Sequence, residues 1–183
     1  MKDSLQDVLS FWFEEISPAQ WFHVNEAFDQ MIRSRFGALY TMAMNGVYDD
    51  WGRTVDGSLA LGLVLDQFPR NMIRDTPAAF GSDAKALEVE RRAIGLGYDH
   101  VVAVHKRRFL YLPFEHSEIL ADQLTSLELF ETMREDDPLS YDYALRHYKL
   151  IERFGRFPHR NAILVRASTP DELAFLSEHG RGF

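Results

Sequence analysis

The stretch SLALGLVLDQF, residues 58–68, decides the fold class of this chain. Its apolar side chains leave no polar face on a helix or on a strand, so the stretch must be buried, and at this length periodicity alone does not separate the two. We interpret it as a helix, because Val64 is its only β-branched residue and Gly62 suits a close helix crossing. We expect Pro69 to end this helix.

Signals for helix starts and helix ends dominate on both sides of this stretch. Residues 169–172 (TPDE) combine an N-cap threonine, a first-turn proline and the glutamate of a capping box. Asn25 can cap a long helix that Asn45-Gly46 ends. The one β-like run, residues 101–104, is too isolated to form a sheet. The sequence therefore predicts an all-α protein.

Chain length and net charge limit the number of domains and the kinds of partner to be expected. The chain has 183 residues, of which 46% are hydrophobic, and this is enough for one folded core. We expect a single domain over residues 1–183, which can divide into an N-terminal helical part to about residue 82 and a C-terminal helical part from about residue 83. The net charge of −8 disfavours nucleic-acid binding, because neutralising phosphates needs a basic face.

The sequence also indicates a compartment. The longest charge-free run, residues 36–48, is shorter than the ~20 apolar residues of a membrane helix, and no signal-peptide pattern is present. The absence of cysteine excludes disulfides and thiolate metal sites and suits a reducing compartment. We expect a cytoplasmic protein with no cofactor and no membrane or nucleic-acid partner, and the oligomeric state stays open.

Charged and amide side chains concentrate in three segments with apolar surroundings, near the predicted helix breaks. Burying a charge is costly unless the charge is paired, so these segments either pair with one another or line a solvated pocket. We expect them to meet around a polar pocket. The candidate ligand-binding residues are Asp66, Gln67, Arg70, Asn71, Tyr111, Arg156, Arg160 and Asn161.

Two arginines, Arg70 and Arg160, each precede an asparagine beside a Phe-Pro helix break. A guanidinium is a planar fork that matches a carboxylate or a phosphate, and the neighbouring amide adds donors and an acceptor. Two such units could clamp an anionic ligand. The alternative is that they bond the backbone carbonyls that each broken helix leaves without partners.

The middle segment supplies the side chains suited to acid–base chemistry. The candidate catalytic residues are His116, Glu115, Glu118 and His159. On one helix, Glu115, Glu118 and Asp122 would form an acidic stripe, because their spacing is i, i+3, i+7. This stripe could hold a hard cation or orient His116 as a general base. The alternative is that it pairs with the arginines of the other segments, and we assign no metal ligand.

Several strings together resemble one known family. They are VLSFWF, FDQMIRSRFGALY, LALGLVLDQFPRN, FLYLPFEHSE, RFGRFPHRNAIL and STPDE, which run from residue 8 to about residue 176. They resemble the bacterial family named domain of unknown function 924. The resemblance implies an all-α fold of packed helix pairs related to tetratricopeptide arrays, although this chain lacks a regular repeat of about 34 residues. It implies no established activity.

Three functions therefore stay open. The preferred one is binding of a small anionic ligand or a peptide carboxylate, with Arg70, Arg160 and Asn161 as the clamp and Glu115 and His116 as orienting groups. The second is a hydrolase-type enzyme that uses a His/Glu pair, with or without a divalent cation. The third is a structural or protein-interaction domain in which the polar side chains hold helix ends together.

Overall fold

The computed structural model describes residues 4–180, and within them the chain forms nine α-helices and no strand. The helices are α1 (Leu5–Ser10), α2 (Glu26–Met44), α3 (Val55–Gly62), α4 (Phe68–Met72), α5 (Asp83–Gly95), α6 (Val104–Glu115), α7 (Leu120–Glu131), α8 (Pro138–Phe154) and α9 (Pro170–His179). The predicted all-α class is confirmed. No helix in this part of the chain is both long enough and apolar enough to cross a membrane.

The stretch at residues 58–68 is helical and buried, as predicted. It runs from α3 through a π-helical turn (Leu63–Gln67) into α4. The expectation that Pro69 ends the helix is wrong, because Pro69 lies inside the first turn of α4. Proline cannot donate to the carbonyl of Leu65, and the hydroxyl of Ser82 donates to that oxygen instead, at 2.5 Å. A side chain 17 residues away thus replaces the missing backbone donor.

Contacts divide the described chain into two units. Unit 1 contains the described residues up to Arg74 together with residues 78–113, and unit 2 contains residues 75–77 together with the described residues from Phe114 onward. The expected single domain with a division near residue 82 stays a prediction.

Aromatic rings fill the core of unit 1. The Trp12 ring lies 5.7 Å from Phe68 and 5.8 Å from Phe109, measured between ring centroids, and Phe36 lies 4.8 Å from Phe68. All four side chains are buried. Because Phe68 is the first residue of α4, this packing fixes the helix that carries Arg70.

In unit 2, α7 packs against α8, and α9 follows a short 3₁₀ turn, Pro158–Arg160. Leu150, Ile151 and Phe157 form an apolar core. The capping box predicted at residues 169–172 is present at the start of α9 and is confirmed.

Candidate functional site

The segment expected to carry an acidic stripe is not one helix, and that prediction is wrong. Helix α6 ends at Glu115 and α7 begins after a turn, so Glu115, Glu118 and Asp122 share no helix face. The side-chain amide of Gln123 donates to the carbonyls of Glu115 at 2.7 Å and Ser117 at 2.6 Å. These bonds satisfy backbone acceptors that the end of α6 leaves open, and they stabilise the break.

After the break, Glu118 binds the backbone near Phe157. Its carboxylate accepts hydrogen bonds from the Arg166 guanidinium at 2.6 and 2.9 Å and from the Phe157 N–H at 2.8 Å. Burial raises the pKa of Glu118, but these hydrogen bonds outweigh it and hold the pKa below the usual value. Arg166 also donates to the Asn161 side-chain oxygen at 3.0 Å. The Glu118–Arg166 pair therefore holds the loop that contains Phe157 and Asn161.

Two imidazoles and a guanidinium lie against the buried Phe157 ring, and a third imidazole lies next to one of these two. We call this set the Phe157 cluster: His116, His147, Phe157, His159 and Arg160. The Phe157 ring centroid is 5.4 Å from that of His147 and 5.5 Å from that of His159, and the Arg160 guanidinium carbon is 4.5 Å from it. The His116 ring is 6.2 Å from His147. Two of the predicted catalytic candidates, His116 and His159, therefore lie in one cluster with Arg160.

A carboxylate orients His147 in this cluster. Glu115 Oε1 lies 3.1 Å from His147 Nδ1, and the Tyr143 carbonyl oxygen lies 2.9 Å from the same nitrogen. Both neighbours are acceptors, so Nδ1 carries the proton and Nε2 is the acceptor of the neutral ring. The sequence interpretation gave His147 no role. Helix spacing could have found it, because it lies three residues after Ala144 and four before Ile151, which are both buried.

Burial and nearby cations keep two of these imidazoles neutral. Burial lowers the pKa of His147 well below its usual value, and the charges of His116 and Arg160 act in the same direction. Burial also lowers the pKa of His159 to about 4, with Arg160 adding to the shift and Glu118 opposing it. Both rings are therefore neutral at pH 7, and the charges that act on them are mainly cationic.

Arg156 and Asn161, two of the predicted ligand-binding residues, have clear structural partners in unit 2. Arg156 donates to both carboxylate oxygens of Glu172, at 2.7 and 2.8 Å, and Glu172 also accepts from the Thr169 N–H at 2.7 Å. The Arg156 hydrogen bond is the main cause that lowers the pKa of Glu172 to about 2. Asn161 donates to the Ser168 hydroxyl at 3.1 Å. These contacts fit the alternative in which polar residues hold helix ends together.

The predicted residue Arg70 lies in unit 1, between two carboxylates. It donates to both oxygens of Asp83 at 3.0 Å and lies 3.1 Å from Asp66 Oδ1. The Gln67 amide donates to the other Asp66 oxygen at 2.6 Å. Asp66 and Gln67 are both buried, so the π-helical turn that carries them places an ion pair inside unit 1.

Two more predicted residues, Asn71 and Tyr111, are buried in unit 1 and bind carboxylates. Asn71 donates to Asp29 at 2.9 Å, and Arg74 pairs with the same carboxylate at 2.5 Å. The Tyr111 hydroxyl donates to Asp99 at 2.9 Å. Each side chain therefore contributes to a buried polar pair within its unit.

Sequence reasoning missed Glu90, a fully buried carboxyl group on α5. No hydrogen-bond donor among the described residues reaches either of its oxygens. Burial raises the pKa of Glu90 well above the usual value, and the charge of Asp66 adds to the shift, so the site favours the neutral acid. Ala86, Glu90 and Ala93 are spaced i, i+4, i+7 and so share one helix face. This spacing between two alanines was the sequence signal that Glu90 faces the core.

The fold and these contacts define a class: an all-α protein with a histidine- and arginine-containing cluster in its second unit. Within residues 4–180, no three or more His, Asp and Glu side chains converge in a way that could hold a metal ion.

The chain belongs to the family described as bacterial protein of unknown function (DUF924), which matches residues 8–180. The resemblance stated from the sequence is thereby confirmed. A solved structure of a protein of unknown function from Agrobacterium tumefaciens is 38% identical with a TM-score of 0.90, and the match covers 95% of this chain and 97% of that chain. No curated protein matches the chain. The family and this neighbour support no specific function.

Proposed function

We propose that unit 2 binds a small ligand carrying a carboxylate or phosphate group, at the Phe157 cluster. The observation that carries the proposal is Arg160: this residue is 7% exposed, its guanidinium stacks over Phe157, and its charge adds to the burial that lowers the pKa values of His147 and His159. A buried guanidinium offers paired donors to an anion in a medium where charge interactions are strong.

Proton uptake by the histidines is expected for the same class of ligand. Burial is the main cause that lowers the pKa values of His147 and His159, and nearby cations add to it, so a bound anion that offsets the cationic part would raise both values. By linkage, the anion then binds more tightly at acidic pH than at neutral pH. Glu115 would orient His147 during this change, since it already contacts Nδ1.

Ligand-induced thermal stabilisation tests the proposal. We expect phosphate or acetate to raise the melting temperature of the protein above the value in sodium chloride of equal ionic strength, and the stronger response identifies the anion class. Arg160→Gln should abolish this rise. Arg153→Gln is the matched control, because Arg153 is half exposed and pairs with Asp171 outside the cluster. An equal rise in Arg160→Gln and the unmodified protein would contradict the proposal.

The same thermal-stabilisation assay tests the sequence prediction that Arg70 contributes to anion binding, with the variant Arg70→Gln. If Arg70 contacts the anion, Arg70→Gln reduces the ligand-induced rise in melting temperature. If Arg70 serves only the ion pairs with Asp66 and Asp83, this variant lowers the starting melting temperature and leaves the rise unchanged.

A hydrolase is the second candidate, favoured by the contact between Glu115 and His147. A neutral imidazole whose Nδ1–H faces the Tyr143 carbonyl and the Glu115 carboxylate, with Nε2 as the acceptor, is the arrangement of a general base. Turnover of ester, phosphate-ester or amide substrates that falls at least ~100-fold in His147→Gln would support it. Flat rates across these substrate classes would contradict it, and elemental analysis of protein purified without chelator tests the metal-dependent version.

The cytoplasm is the proposed compartment, and no nucleic-acid partner is proposed. A chain without cysteine suits a reducing compartment, and the net charge of −8 repels polyphosphate backbones.

A further inference from the structure

Helix α7 buries three polar side chains together with Phe130 and exposes two of its leucines. Asp122, Gln123 and Ser126 are buried, whereas Leu120 and Leu124 are 46% and 47% exposed. An amphipathic surface helix normally has the opposite arrangement, with its apolar stripe against the core. The two exposed leucines of α7 therefore need an explanation outside the packing of the helix.

The polar inner face has a structural reason. Gln123 donates to the carbonyls at the end of α6, and Asp122 accepts from the Ser117 hydroxyl at 2.7 Å. The outer leucines have no such reason, since each exposes apolar area whose burial would be favourable. Leu120 and Leu124 are spaced i, i+4, so they lie side by side on the helix, and Ile119 just before them is 61% exposed.

Acidic residues continue the leucine stripe toward the C-terminal end of α7. Glu128 and Glu131 follow Leu124 at i+4 and i+7, and both are exposed. A depression of about 560 Å³ follows there, lined by Glu131, Thr132, Arg134, Glu135, Asp136 and Pro138. Its one arginine already pairs with Glu131 at 3.2 Å and stacks over Tyr141. The surface thus has an apolar end and an acidic end.

We propose that this face, which we call the α7 face, binds a basic amphipathic helix of a partner protein. The leucines contact the apolar side of that helix, and the depression accepts its Lys or Arg side chains. Charge complementarity selects this occupant. A second copy of a chain with net charge −8 would bring like charges together, and an anionic membrane surface would be repelled by the same glutamates. This inference does not depend on the Phe157 cluster.

A synthetic peptide of about 18 residues tests the proposal, with leucines at i, i+3, i+4, i+7 spacing and lysines elsewhere. Fluorescence anisotropy should show binding that weakens with added salt and that disappears when glutamates replace the lysines. The double variant Leu120→Ser/Leu124→Ser should bind the lysine peptide at least ~10-fold more weakly. Leu173→Ser on α9, another exposed leucine, is the matched control and should bind normally.

Three results would overturn the proposal. The first is equal peptide binding by the double variant and the unmodified protein, after circular dichroism has shown that both are folded. The second is a concentration-dependent dimer in analytical ultracentrifugation that the double variant abolishes, because a second copy would then cover the α7 face. The third is co-sedimentation with phosphatidylcholine vesicles that the same variant abolishes, because lipid would then be the occupant.

Discussion

Burial favours the uncharged form of two side chains, Glu90 and His159, for the same physical reason. Removal from water penalises the charged form, which raises the pKa of Glu90 and lowers the pKa of His159. The sign of the shift differs because one group is charged when it loses a proton and the other when it gains one. The two residues therefore give opposite pH dependences of stability.

Glu90→Gln is expected to be at least as stable as the unmodified protein at pH 7. The folded state holds the Glu90 proton above pH 4.5 while the unfolded state releases it, so stability falls as pH rises toward the folded pKa, by at most about 1.4 kcal/mol per pH unit. Glutamine keeps the shape and the neutral charge without this loss. Urea unfolding at pH 5 to 8 measures the free energy of unfolding of both proteins. If the variant is less stable than the unmodified protein at pH 8, ionised Glu90 has a stabilising partner.

His159→Gln is expected to reduce the loss of stability in acid. The folded pKa of His159, about 4, lies below the unfolded value of 6.5, so its contribution is present above pH 6.5 and is lost as pH falls toward 4. Between pH 7.5 and pH 5, the free energy of unfolding of the unmodified protein should fall by about 2 kcal/mol more than that of the variant. Chemical denaturation at pH 7.5 and pH 5 compares them, and parallel losses in both proteins would refute the assignment.

At the scale of the element, local signals predicted helix starts better than helix breaks. The capping box of α9 was readable because Thr169 and Glu172 bond within one turn. The break between α6 and α7 was not, because residues 115–122 keep helical spacing and the break depends on the tertiary role of Gln123. The helix continues through Pro69 because the Ser82 hydroxyl donates to the Leu65 carbonyl, and no local sequence pattern indicates this contact.

Gly62 shows how closely α3 and α5 approach. A Cβ atom at this position would lie 1.9 Å from Glu90 Oε1, and the buried carboxyl has no solvent to move into. Gly62→Ala should therefore destabilise the protein, although alanine is normally more favourable than glycine inside a helix by about 1 kcal/mol.

A double-mutant cycle checks the Gly62 contact. Glu90→Ala removes the carboxyl group, so adding Gly62→Ala should cost much less in that background than in the unmodified protein. Thermal denaturation of the four proteins measures the coupling. Additive losses would show that the clash is not with Glu90.

At the scale of the whole molecule, the predicted site residues fall into both units. The sequence placed His116, His159 and Arg160 among the candidates, and in unit 2 the last two lie against Phe157 while His116 lies next to His147. Helix spacing could have indicated that His147 faces inward, but its pairing with Glu115 and that of Arg166 with Glu118 are tertiary contacts that no local pattern shows. The single pocket expected from all three segments stays a prediction, while the family and the all-α class were predictable from several local strings read together.

The central claim, an anion site at the Phe157 cluster, is tested most directly by calorimetry with sulfate, whose charge does not change between pH 4.5 and pH 7.5. The account predicts that sulfate binds more tightly at pH 4.5, by about threefold if the pKa of His159 rises by one unit from its value of about 4, with measurable proton uptake, and that Arg160→Gln abolishes both. Equal affinity at the two pH values with no proton uptake, or unchanged binding in Arg160→Gln, would contradict it.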